Sequence, residues 1–190
     1  MVGVVAKAKP IMAKEIRRPK RAKAAGNTAA AELLEFFYPV HYQLGTALED
    51  VVRAGVLSRQ QAAILWLIRS EGSTAYRMRR KDVEANIRRW FEVTSAAVSK
   101  SLRRMARPPL ELIVISEDPR SGREKLLTLT PKGRKFLAAT AAQATAFVAQ
   151  LVEDAPPEIL EHAVAYFRYV TDSFQRSVVA DHSRTADVDA

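Results

Sequence analysis

"TSAAVSKSLRRMARPPLELIVISEDPRSGREKLLTLTPKG", residues 94–133, carries three local signals in a fixed order. Thr94 or Ser95 can cap a helix in which Val98, Leu102 and Met105 share one face. After Pro108 and Pro109 come two runs of strand formers, "LELIVIS" and "KLLTLT", separated by the turn residues of "DPRSGR". Thr130 and Pro131 then supply a cap and a first-turn proline for another helix. Immediately upstream, Val83, Ile87 and Trp90 in "KDVEANIRRWFEV" mark a short amphipathic helix. Two short helices, a tight turn and a hairpin form the connectivity of a winged helix-turn-helix, whose second helix enters the major groove of DNA.

The flanks read as helices. "LSRQQAAILWLIRSEG" opens with the capping-box pair Ser58 and Gln61 and stops at Gly72, and "STAYRMR" follows as a polar link. From Thr28, Leu33, Phe37, Leu44, Leu48 and Val51 recur at helical spacing. Pro39 should kink or split this helix, and Gly55 should end it. Pro156 and Pro157 separate the helix begun at Pro131 from a last one, "EILEHAVAYFRYVTDSFQRSVVA". The expected fold class is mainly α, a winged helix-turn-helix with flanking terminal helices. The expected divisions are a disordered basic arm at 1–26, a first helix at 27–57, and the winged lobe at 58–135. Helices at 136–178 and a polar, disordered tail at 179–190 complete the chain. Trp66 and Trp90 are expected in the core.

Charge is distributed unevenly over the 190 residues, whose net charge is +9. Residues 1–26 carry +7 and residues 69–135 carry +9, while 27–68 carry −2 and 136–190 carry −5. A basic segment set between acidic ones is the footprint of a polyanion-binding surface. With the apolar residues of the 94–105 helix turned inward, its other face presents Ala96, Lys100 and Arg103, with Ser99 and Arg104 at the margins and Ser95 at the start. Small residues there let a helix approach base edges, and Ser, Lys and Arg supply donors to bases and phosphates. The alternative is an ordinary solvated helix face. Arg120, Ser121, Arg123 and Lys125 lie at the hairpin tip and the strand beside it, where a basic loop can reach an adjacent minor groove or merely aid solubility. The arm can wrap phosphates or serve as a solvated tail.

Other chemistry finds little support. The chain has no cysteine, which excludes disulfides and thiolate metal sites and fits a reducing cytoplasm. His41, His162 and His182 lack ligand-like spacing, so no metal is expected. No phosphate-cradling glycine loop or nucleophile motif occurs, so no catalytic residue, cofactor or enzymatic activity is expected. No run is apolar enough for a transmembrane helix.

"VTSAAVSKSLRRM…LIVISEDPRSGREKLLTLTPKG" resembles the MarR family of bacterial transcription regulators over about residues 28–178. Leu129, Thr130 and Gly133 match the family's closing Leu-Thr-x-x-Gly, and Arg123 falls at the wing arginine. The family's wing aspartate falls on Ser121, with the nearest acid at Asp118, so Arg120 and Arg123 both stay open as the residue entering the groove. The resemblance implies a homodimer held by the first and last two helices. It also implies repression of transcription from double-stranded DNA in the cytoplasm, at the bacterial nucleoid. Phe37, Leu44, Leu48, Phe147, Leu151, Leu160, Val164, Phe167 and Val170 exceed what one helix layer needs, although they could fill a monomer core. By resemblance, Tyr38, His41, Tyr42 and Trp66 line a site for a small aromatic or anionic effector. From position alone, His41 reads better as a core or interface histidine. Two alternatives remain open: an architectural, nucleoid-associated protein without sequence preference, and a winged helix that binds protein.

Overall fold

Ser58 sets the start of the first helix of the lobe, because its hydroxyl accepts from Gln61 N while Gln61 Oε1 accepts from Ser58 N. This reciprocal cap satisfies two of the donors that a helix start leaves unpaired. The structure, a computed structural model, describes residues 28–186 apart from 120 and 122. The basic arm, Arg120 and the last four residues lie outside the described residues.

The elements in order are α1 (Thr28–Glu35), a π-helical segment (Tyr38–Gly45), α2 (Thr46–Arg53), α3 (Arg59–Glu71) and β1 (Arg77–Arg79). They continue with α4 (Arg80–Trp90), α5 (Ser95–Ala106), β2 (Ile113–Glu117), β3 (Lys125–Leu129), α6 (Pro131–Leu151) and α7 (Pro157–Ala186). The fold is mainly helical with one small antiparallel sheet, ordered β1-β3-β2. In that sheet Ile113 faces Leu129 and Glu117 faces Lys125, while Arg77 faces Thr128 across the other edge of β3.

One core holds the lobe together. Ile64, Leu65 and Ile68 of α3 pack with Val83 and Ile87 of α4, Val98, Leu102 and Met105 of α5, and Ile113, Leu127 and Leu129 of the sheet. Each such side chain contributes about 1.5–3 kcal/mol on burial. Gly133 lets α6 close on the hairpin: a Cβ there would meet Leu112 O at 2.0 Å. Thr130, the α6 cap, accepts from Gly133 N at 2.9 Å and donates to Glu111 O at 2.7 Å.

Three expectations need correction. The link at 73–79 contains a third strand, β1, which three residues of alternation are too short to announce. Pro39 does interrupt the first helix as expected: α1 ends at Glu35, and Pro39 sits near the start of the π-helical segment that leads into α2. Helix α7 continues to Ala186, eight residues into the expected tail, because nothing from 171 to 186 is Gly or Pro. Trp90 is 49% exposed at the end of α4, whereas Trp66 does pack against the core. The first and last helices leave Phe36, Phe37, Ile159, Phe167, Tyr169 and Phe174 exposed, so these do not fill a monomer core.

Candidate nucleic-acid interface

Helix α5 is held from behind. Thr94, rather than Ser95, caps it by accepting from Ala97 N at 3.2 Å. Val98, Leu102 and Met105 anchor one face in the core, and Ser101 Oγ donates to Gln60 Oε1 of α3 at 2.8 Å. Leu112 N donates to Met105 O at 2.8 Å, which ties the end of α5 to the hairpin. The outward face therefore has a fixed direction. Ser95, Ala96, Lys100, Arg103 and Arg104 are all exposed on it, and Ser99 is half-buried at its edge.

Among the described residues, no carboxylate pairs with Lys100, Arg103 or Arg104. These cations keep their full field toward solvent. The wing is different. Lys125 Nζ lies 2.7 Å from Glu117 Oε1 across the β2–β3 ladder, and this bond and charge hold the Glu117 carboxyl below its ordinary pKa. Lys125 is thus partly neutralised, and only Arg123 of the described wing cations has no carboxylate partner in the structure. Asp118 N donates to Glu124 O at 2.8 Å and Glu124 N donates to Ser121 Oγ at 3.2 Å, closing the loop that carries Arg123. Ser121 thereby acts as a loop brace as well as an exposed tip residue.

Sequence reasoning misses the cations in front of α4. Arg79, Arg80 and Lys81 join Arg123 and Lys125 around a cleft of about 250 Å³ that also holds Glu84 and Glu124. Arg80 Nη2 donates to Ser99 Oγ at 2.7 Å, bringing this group against α5. The basic run "RMRRK" is the available signal, hidden because its first half looks like a polar link rather than a strand leading into a helix.

The four expected effector residues do not come together. Tyr38, His41 and Tyr42 form an exposed aromatic cluster on the π-helical segment, with His41 stacked on Phe37 at 5.2 Å and Tyr42 edge-on to His41 at 4.7 Å. His41 is consequently not a core residue of this chain. Trp66 instead lines a cavity of about 270 Å³ with Leu48, Val52, Ala63, Phe91 and Ala144, bordered by Glu49, Arg53 and Arg59. Its indole N–H is buried without an acceptor in the structure, and Arg69 lies 4.6 Å over its ring. Among the described residues no group of three His, Asp or Glu could hold a metal, and no helix is long and apolar enough to cross a membrane.

A capped helix with an unneutralised basic face, backed by a core and followed by a two-stranded wing, defines a winged-helix protein. Residues 57–133 match the family model described as a winged helix DNA-binding domain. No curated protein matches the chain. Among solved structures, a MarR family protein from Bacillus stearothermophilus aligns with TM-score 0.62 at 14% identity, over 80% of this chain and 99% of that one. AbsC, a MarR family transcriptional regulator from Streptomyces coelicolor, aligns at 0.55 and 18% identity, over 82% and 98%. Sco3205, a MarR family transcriptional regulator from the same organism solved in complex with DNA, aligns at 0.50 and 20%, over 77% and 89%. The chain has the winged-helix fold of the MarR-type regulators, flanking helices included.

Proposed function

We propose that this chain is a homodimeric regulator of transcription that binds a specific double-stranded DNA site. The observation that carries the reading is the face of α5: small at Ala96, polar at Ser95 and Ser99, and cationic without acid partners at Lys100, Arg103 and Arg104. A purely electrostatic binder needs the charge but has no use for the small residues that admit base edges. In this reading Lys100, Arg103 and Ser99 touch the major groove. Arg123, with Arg120 and Ser121, forms the wing tip at the minor groove, and Arg104, Lys125 and the basic segment 1–26 hold phosphates.

Two further parts of the proposal rest on other features. The apolar surface left open on α1, the π-helical segment and α7 supports a second copy as its cover. Two recognition helices would then meet half-sites roughly 10 bp apart or a multiple. The cavity at Trp66 supports ligand response: it is mostly apolar and opens beside Arg53 and Arg59. A small aromatic anion has that chemistry. Its binding would release DNA, and occlusion of a promoter is the regulatory mode.

Fluorescence anisotropy at fixed moderate salt tests the reading. The probes are the organism's own upstream intergenic duplex and a scrambled duplex of equal length, titrated with the full chain, a chain lacking residues 1–26, and Lys100→Gln/Arg103→Gln. Preferential binding of the upstream duplex that survives loss of the arm and is lost in the double variant is expected. Equal binding of both duplexes that vanishes with the arm would replace the regulator with an architectural DNA-binding protein.

A further inference from the structure

The cleft between the start of α4 and the base of the wing has an unusual internal occupant. Glu124 is the last residue before β3, and its carboxylate reaches across to α4, where Oε1 pairs with Lys81 Nζ and Oε2 lies 3.5 Å from Arg79 Nη1. Its side chain is 28% exposed, more enclosed than either partner. The neighbouring Arg80 spans Ser99 Oγ of α5 at 2.7 Å and Glu84 Oε2 at 3.8 Å. Five cations, Arg79, Arg80, Lys81, Arg123 and Lys125, thus surround a cleft containing two acids.

The position of this cleft matters more than its charge. One wall touches α5 at Ser99, and another is the wing that carries Arg123. A duplex with α5 in its major groove and the wing in the neighbouring minor groove must lay the intervening sugar–phosphate strand between those two elements. We propose that the cleft is a seat for a DNA backbone phosphate, and that Glu124 occupies it in the free protein as an internal stand-in for that phosphate. The inference rests on the DNA-binding reading above and assigns it a regulator of affinity. Arg79 and Lys81 exchange one anionic partner for another on docking, so the wing base is held in place before DNA arrives. The same exchange weakens binding, because the carboxylate must be displaced. Its relative cost is greatest on DNA that lacks favourable base contacts.

The test is a double-mutant cycle with full-length protein and duplex DNA. Glu124→Gln keeps the shape and removes the charge. It should tighten binding to both the upstream and the scrambled duplex by roughly two- to fivefold, the range of an exposed ion pair. Glu153→Gln, in the loop between α6 and α7, makes the same change in net charge and should leave affinity nearly unaltered. Arg79→Gln/Lys81→Gln should weaken binding and flatten the plot of log K against log salt by about 0.9 for each phosphate no longer neutralised. In that background Glu124→Gln should have no further effect. Thermal melts of each variant verify folding. Weaker or unchanged binding by folded Glu124→Gln, or an equal gain in the Arg79→Gln/Lys81→Gln background, would overturn the phosphate seat while leaving the regulator reading intact. Failure of the wild-type chain to bind any duplex would sink both. Inorganic phosphate at millimolar concentration should compete more weakly against wild type than against Glu124→Gln; equal competition would also count against the stand-in.

Discussion

Gly133→Ala should destabilise the protein by about 1–3 kcal/mol, and the sign of the effect is what makes it informative. Gly133 is the third residue of α6. Alanine at a helical position ordinarily gains about 1 kcal/mol over glycine. Here the added Cβ would lie 2.0 Å from Leu112 O and 2.9 Å from its carbonyl carbon, both backbone atoms. Leu112 cannot retreat freely, because its N–H donates to Met105 O at 2.8 Å and its carbonyl accepts from Thr130 N at 3.0 Å. Relieving such a clash costs about 1–3 kcal/mol, and losing one of the two hydrogen bonds adds about 1 kcal/mol. These terms outweigh the helical gain. Urea unfolding followed by circular dichroism, at one fixed protein concentration, measures the balance. Ala139→Gly on the exposed face of α6 serves as the propensity control and should cost about 1 kcal/mol. A Gly133→Ala protein more stable than wild type would show that α6 and Leu112 do not make the close approach described.

Phe167→Glu places a charge on an exposed apolar side chain of α7, 59% accessible in the single chain. Sedimentation should show it as a monomer with undiminished helicity, and an unaltered dimer would move the interface elsewhere. Trp66→Ala removes the indole from the cavity wall, so aromatic carboxylates that release DNA from the wild-type chain should lose their effect on DNA; full retention in the folded variant would detach Trp66 from ligand response. Lys125→Gln should raise the Glu117 pKa toward the ordinary carboxylate value, read by NMR titration. Because the folded pKa is depressed, the pair's stabilisation is present above the unfolded pKa and fades as pH falls through the folded one. An unmoved titration would mean that the cross-strand pair does not form in solution.

The lobe is legible in the sequence because its signals are local. A cap at Thr94, the 98–102–105 stripe, turn chemistry at 118–123 and the Thr130–Pro131 start each act within a few residues. Strand β1 escapes because the strand it pairs with, β3, lies nearly fifty residues away, and three residues carry no periodicity. The same non-local pairing hides Arg79 and Lys81, which come to matter only when β3 brings Glu124 beside them. Tyr38, His41 and Tyr42 carry no effector signal of their own in the sequence and are placed at such a site only by resemblance. In the π-helical segment those residues point to solvent, and the cavity wall passes to Leu48 and Val52.

That segment has a further consequence for how one rod serves two masters. An α-helix advances about 100° per residue, so a stripe that faces one neighbour faces it along the whole length. Wider turns between Tyr38 and Gly45 act as a phase shifter. Upstream of them the aromatic side points away from the lobe, at Phe36 and Phe37; downstream, Leu48 and Val52 point into it. Removing a single residue within 38–45 would rotate α1 by about 100° relative to α2. The lobe would keep its core, yet the outer helix would present a different face to whatever meets it. The angular setting between the two ends of this molecule is therefore written in the winding of eight residues.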